Sequence, residues 1–268
     1  MALCLLANAS LLSAMTVSPL VKFDFTTVSD TSGYYTGSLK SGATLTTFSG
    51  KPILDLGSNN GYFDFGSSIG DVISHLDAYS MSVNLFIPTS STITGAGNFI
   101  WCFAKSSSTG YQFLGAKESR CATTLTNYSG EQNVNAGSAF TKGKWVNVTY
   151  TQSGGVGKLY IGGVLKATNS SMSITLQNIG KTTLNYLGRS CYNGDALLKG
   201  AQYNDFRIYN AALTATDAAE LSQNVDSLNL PIEQAAMEET IKSFSLGDVS
   251  EQVRNIKLPS TYNSVINI

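Results

Sequence analysis

The chain has 268 residues, of which 43% are hydrophobic and only 13% charged, with a formal net charge of −1. That much apolar material supports a packed core and excludes wholesale disorder. No Lys/Arg-rich run exists to neutralise a row of phosphates, so nucleic acid is excluded as a partner.

Residues 1–19 read as the truncated end of a secretory leader. The run from Met1 to Ala14 is apolar, and Ala7 and Ala9 are small enough for a signal peptidase, although a positive n-region is missing. The alternative is a leader strand packed on the domain. The run is too short and interrupted to cross a bilayer, and no other segment is a candidate, so no membrane span is expected. From Leu20 to about Tyr209 the pattern has period two, as in Val21–Phe25, Tyr62–Phe65, Tyr79–Ile87, Phe99–Phe103, Trp145–Tyr150, Lys158–Ile161, Leu184–Leu187 and Asp205–Tyr209. β-Branched and aromatic residues dominate these runs, as a half-buried pleated surface requires. Gln152–Gly157 and Gly162-Gly163 read as turns. Many short strands with turns between them predict an all-β, antiparallel sandwich. The pattern changes at Ala211–Leu221, which reads as a short helix capped by Thr214 or Thr216. A second helix is predicted after Pro231, and Phe244–Ile268 turns extended again.

The charge-poor surface, filled with Ser, Thr, Asn and Gly, is common in secreted β proteins that meet neutral sugars. Catalytic breakage of a glycosidic bond needs two carboxyl groups facing one bond, roughly 5–9 Å apart. Between Leu20 and Tyr209 the only glutamates are Glu118 and Glu131, and neither has an acidic residue two or four positions away. No catalytic residue is therefore assigned. His75 is the sole histidine, with no nucleophile-elbow motif to serve, and it reads as an ordinary loop or strand-edge residue. Sugar binding uses aromatic faces and planar polar groups. Two loop-like stretches have that mixture: Arg189–Asp195, with Arg189, Tyr192 and Asp195, and Tyr128–Asn133, with Tyr128, Glu131 and Gln132. Loops carry function more often than strand positions do. Trp101 lies among Phe99, Ile100 and Phe103 and reads as core. Besides Cys4, the cysteines are Cys102, Cys121 and Cys191. They read as small buried thiols, with a Cys121–Cys191 or a Cys102–Cys191 bridge as alternatives that spacing does not decide. A Cys/His zinc site is not expected.

Five stretches together resemble the laminin-G-like (concanavalin A-like) jelly-roll domains of secreted bacterial glycoside hydrolases. They are Leu54–Gly57 leading to Gly61–Gly66, Gly143–Tyr150, Gly157–Gly163, Leu187–Ser190 and Asn204–Thr214. The resemblance covers about residues 20–225 and implies a jelly roll. In 226–268, a helical linker leads to Ser245–Asp248 and Lys257–Ser260, which resemble the opening of an atypical bacterial immunoglobulin-like domain. Such modules often precede an arabinose- or xylose-releasing catalytic domain, for example of glycoside hydrolase family 43. The resemblance thus implies a secreted, periplasmic or cell-surface bacterial protein, a plant-type polysaccharide or oligosaccharide as partner and a catalytic domain downstream. It also implies a structural Ca²⁺, since relatives often hold one. Asp24 and Asp205 are its candidate ligands if the first and last strands pair, although Asn204-Asp205 stands where relatives often have Asp-Asp. The function expected is a non-catalytic carbohydrate-binding or accessory module. The alternatives are a structural spacer that supports a neighbouring glycosidase domain and, third, a glycoside hydrolase in its own right. Protein adhesion lacks the basic patch that heparin-like ligands demand.

Overall fold

The structure is a computed structural model that describes residue 15 and residues 17–93 and 95–229. The chain divides into two compact units, Met1–Asn229 and Leu230–Ile268. The helix expected after Pro231 and the stretches read as immunoglobulin-like at Ser245–Asp248 and Lys257–Ser260 lie outside the described residues, as does most of the stretch read as a leader.

In chain order the first unit begins with β1 (Val21–Phe23), β2 (Ser38–Lys40), β3 (Thr44–Phe48), β4 (Lys51–Asp55), β5 (Tyr62–Asp64), α1 (Ile69–Ile73), β6 (Tyr79–Phe86) and β7 (Phe99–Ala104). It continues through β8 (Tyr111–Gly115), β9 (Arg120–Thr124), β10 (Gln132–Asn135), β11 (Trp145–Ser153), β12 (Val156–Ile161) and β13 (Val164–Asn169). Then come α2 (Leu176–Ile179), β14 (Leu184–Leu187), β15 (Gln202–Tyr209), α3 (Ala215–Gln223) and α4 (Asp226–Asn229). Among the described residues these strands form two antiparallel sheets. The first has eight strands in the order β13-β12-β11-β6-β15-β4-β3, with β1 also paired to β15. The second has seven, in the order β10-β9-β8-β7-β14-β5-β2. This is the sandwich that the period-two pattern predicts.

Alternation decides what each face carries. In β6, Met81, Val83 and Leu85 enter the space between the sheets, where they meet Trp101, Phe103 and Phe206 among others. Phe65 lies with its ring centroid 5.0 Å from both Phe23 and Phe206. Trp101 is fully buried there, its indole N–H donating to Gln112 Oε1 at 2.9 Å, so its reading as core holds. Gly154-Gly155 and Gly162-Gly163 all have positive φ and join consecutive antiparallel strands. Such two-residue hairpin loops need that conformation at both positions, and glycine adopts it without a Cβ clash. Gln152, read as part of a turn, is instead in β11 and buried.

Trp145 begins β11 and is buried. It points to the opposite face of the first sheet, with Ile53, Phe48 and Phe86, under Val225 and Leu228 at the C-terminal end of the unit. The Asn229 side chain locks this cover by accepting from Trp145 N at 2.9 Å and donating to Trp145 O at 3.0 Å. Polar residues on the same face pair with one another: Asn147 Nδ2 donates to Ser82 Oγ (3.1 Å) and Asn84 Oδ1 (2.8 Å). Thr214 is the cap of α3, with its hydroxyl accepting from Asp217 N and the Asp217 carboxylate accepting from Thr214 N. Met15 and Val17, from the stretch read as leader, pack on Tyr209, Leu213 and Leu221.

Candidate functional site

The outer face of the second sheet carries a cleft of about 470 Å³. Its floor comes from two strands. In β8, alternation turns Leu114 inward and Phe113 outward; in β7, a register shift between Phe99 and Trp101 leaves Trp101 and Phe103 inward and turns Phe99 outward beside Phe113. Their rings stack with centroids 3.8 Å apart and planes 4° from parallel. The Arg120 guanidinium of β9 lies over the Phe113 ring, 5.2 Å from its centroid.

Four connections raise the walls. The turn between β9 and β10 brings Tyr128 and Glu131; the Asn127 side chain holds this turn by accepting from Ser129 N. The β14–β15 loop brings Tyr192 and Asp195, and the connections into β7 and β9 bring Gly95–Gly97 and Lys117-Glu118. A hydrogen-bonded chain ties the walls together. The Tyr111 hydroxyl donates to Glu131 Oε1 at 2.6 Å and lies 3.2 Å from the Tyr192 hydroxyl, which accepts from Tyr128 N at 3.3 Å. Arg120 Nη1 donates to Glu131 Oε2 at 2.7 Å, and Nη2 contacts the same oxygen. Glu118 Oε2 is 3.9 Å from Arg120 Nε. Burial, then the hydrogen bond to Glu131, pushes the Tyr111 pKa far above its ordinary value. The phenol therefore stays protonated and keeps donating. Asp195 accepts from Ser190 Oγ at 2.7 Å, and the same hydroxyl accepts from Tyr192 N at 3.0 Å.

Of the residues singled out from sequence, Tyr128, Glu131, Tyr192 and Asp195 meet in this one cleft although they come from connections more than 60 positions apart. Two do not join them. Arg189 stacks on Tyr62 and Tyr186, 4.7 and 5.4 Å from their centroids. Gln132 is spent on local structure, donating to Ser173 Oγ (2.8 Å) and accepting from Ile174 N (2.9 Å). Phe99, Phe113, Arg120 and Glu118 were missed. A signal for two of them was present: in a chain so poor in charge, Glu118, Arg120 and Glu131 fall close together.

Gly97 pins one wall. It forms an isolated bridge with Ala196, has φ +93°, and a Cβ built there would lie 2.4 Å from Ala196 O. Backbone cannot yield as a flexible side-chain tip does. Gly97→Ala is expected to lower the melting temperature by several degrees and to displace the Asp195 wall, read by thermal unfolding and by changed amide shifts around Ala196.

The paired strands β1 and β15 do bring Asp24 and Asp205 near one another, with Phe23 opposite Phe206. Their donor set does not suit a divalent cation. Asp205 occupies a bulge at positive φ; Arg207 grips both its oxygens and Lys22 Nζ lies 3.8 Å away. Asp24 accepts from Thr26 N (3.0 Å) and Thr26 Oγ1 (2.7 Å). A Ca²⁺ there would face two fixed cations and would lack the six or more oxygens it prefers. No cluster of three His, Cys, Asp or Glu fit for a metal is present among the described residues. His75 is exposed, its ring Nδ1 2.7 Å from Asp71 O.

No curated protein matches the sequence. Solved structures share the fold. Domain 4 of AbnA, a GH43 extracellular arabinanase from Geobacillus stearothermophilus solved in complex with arabinotriose, aligns with a TM-score of 0.63 at 16% identity, over 77% of this chain and 99% of that one. A botulinum neurotoxin type C structure, described with cell entry that depends on two ganglioside molecules, aligns at 0.59 and 20% identity over 78% of this chain and 51% of the other. The binding domain of botulinum neurotoxin DC in complex with SialylT gives 0.58 at 20% identity, with 78% and 52% coverage. The chain thus spans about half the length of the neurotoxin chains. Residues 57–219 match a family profile, Laminin_G_3. With more than half its length inside that match, and with the paired sheets described above, the chain belongs to the concanavalin A-like lectin/glucanases superfamily.

Proposed function

We propose that residues 20–225 form a non-catalytic carbohydrate-binding module and that the cleft on the second sheet is its binding site. The observation that carries the reading is the stacked Phe99–Phe113 floor bordered by Arg120, Glu131 and the hydroxyls of Tyr128 and Tyr192. An apolar floor takes the C–H face of a sugar ring, and a polar rim takes its hydroxyls. The likeness to an arabinanase domain solved with arabinotriose supports a neutral plant-type oligosaccharide, with an arabinose- or xylose-containing glycan as the substrate class of a secreted partner enzyme downstream. The same fold serves glycoside hydrolases as well as binding modules. Here a non-catalytic role is favoured because Glu118 and Glu131 both lean on Arg120 instead of facing each other across a free space.

Affinity electrophoresis on gels containing arabinan, arabinoxylan or xylan tests the proposal: retardation on at least one is expected. Tyr128 is 74% exposed, so Tyr128→Ala should weaken that retardation several-fold and leave the melting temperature within about a degree, since exposed substitutions seldom exceed ~0.5 kcal/mol. Migration unchanged by every glycan would defeat the reading. It would favour the spacer, whose supporting observation is that Arg120 and Glu131 already satisfy each other. Release of reducing sugar by the isolated chain would instead make it an enzyme.

A further inference from the structure

The described cysteines, Cys102, Cys121 and Cys191, are buried free thiols. Strand alternation separates them. Cys121 faces the space between the sheets, where its sulfur accepts from Gln112 Nε2 at 2.9 Å. Cys102 is on the outward face of β7, and Cys191 descends onto it from the β14–β15 loop; both pack with Phe99, Tyr111 and Phe113 directly under the cleft. The thiol and the backbone N–H of Cys191 both contact the Cys102 sulfur. Two cysteines side by side in one cluster, with the sulfur of one acting on the other, meet the first requirement of a disulfide.

We propose that Cys102 and Cys191 are a disulfide-forming pair that fastens the Ser190–Asp195 loop onto β7. The two thiols give up two protons and two electrons to a disulfide oxidant such as oxidised glutathione. A mixed disulfide forms first, the second thiolate displaces glutathione, and one protein S–S bond and two glutathione thiols result. Burial, and then the neighbouring Cys191, hold the Cys102 thiol protonated in the folded chain. Thiolates attack and thiols do not, so the bond forms as the chain folds and only slowly afterwards. Its loop carries Tyr192 and Asp195, and the bond therefore fixes one wall of the cleft. Bond formation itself is independent of whether the cleft holds sugar.

The test is to refold the full chain in oxidised glutathione, block remaining thiols under denaturing conditions and map the peptides without reduction. A Cys102–Cys191 cross-linked peptide is expected, 2 Da lighter than its two halves, with Cys121 blocked as a thiol. The oxidised chain should melt several degrees higher than the reduced one. Cys121→Ser should keep both results, and Cys191→Ser should lose both. A cross-link that includes Cys121, or glutathione retained on Cys102 or Cys191, overturns the proposal. So does full blocking of both cysteines after refolding in excess oxidant.

Discussion

Arg120→Ala is expected to destabilise the domain by about 2–4 kcal/mol and to abolish retention on any glycan gel that retards the parent chain. The Glu131 side chain is only 7% exposed, against 25% for Arg120. Removing the cation leaves a carboxylate out of water with the Tyr111 hydroxyl as its remaining close partner. Breaking a fully buried pair in this way costs roughly 3–5 kcal/mol, and the partial exposure of Arg120 reduces that through solvent screening. A change of that size lowers the melting temperature by about 5–12 °C in a domain of this length. The double variant Arg120→Met with Glu131→Leu removes both charges and should recover much of the stability but none of the binding. If the double variant melts as low as Arg120→Ala, the orphaned carboxylate is not the cause.

Trp101→Ala should have an effect of similar or greater size with the opposite functional consequence. The indole is fully buried between the sheets, 6.3 Å from the Phe206 centroid in an edge arrangement. Truncating a buried aromatic costs about 3–5 kcal/mol, partly as lost transfer free energy and partly as a cavity that neighbours on two stiff sheets cannot close. Denaturant unfolding should show a lowered midpoint with the slope unchanged. Because Trp101 faces away from Phe99 and Phe113, glycan retention measured below the new melting temperature should match the parent. Lost retention in a demonstrably folded Trp101→Ala chain would mean that the core and the cleft floor are coupled.

Strands that alternate cleanly were readable in advance. Trp145–Tyr150 and Asp205–Tyr209 lie in β-strands, as does Tyr79–Ile87 except for its last residue, and the helix at Ala215–Gln223 starts at one of the two caps expected. Of the strands under the cleft, β7 was readable at Phe99–Phe103 but β8 and β9 were not. Tyr111–Gly115 and Arg120–Thr124 are buried on both faces, because the cleft loops cover the outside of the sheet. A strand covered on both sides is not obliged to alternate: β6, equally buried, keeps Ser80, Ser82 and Asn84 between its apolar residues, whereas Tyr111–Gly115 and Arg120–Thr124 have no such regular alternation. Without β8 and β9 there was no floor on which to place Phe113 or Arg120. Arg189 and Gln132 have the residue types that sugar sites use, but composition does not say which way a side chain turns. Arg189 found the faces of Tyr62 and Tyr186, and Gln132 found the backbone of Ile174.

What the amino-acid order settled alone is the architecture: alternating apolar side chains between glycine-marked turns can bury one face of each strand only by closing two sheets on each other. It also narrowed the polar chemistry to two loops, because loops are where this chain places tyrosines beside acids and amides. Only the tertiary structure brought those loops to one cleft and set Arg120 between both glutamates. It also turned Asp205 toward Arg207 and Lys22, and laid Cys191 against Cys102 in preference to Cys121. The meetings of the two loops, of Asp205 with Lys22 and of Cys191 with Cys102 are contacts between residues distant in sequence. Such contacts depend on the register of β7, β8, β14 and β15, which pairing across the sheets decides and no local pattern encodes.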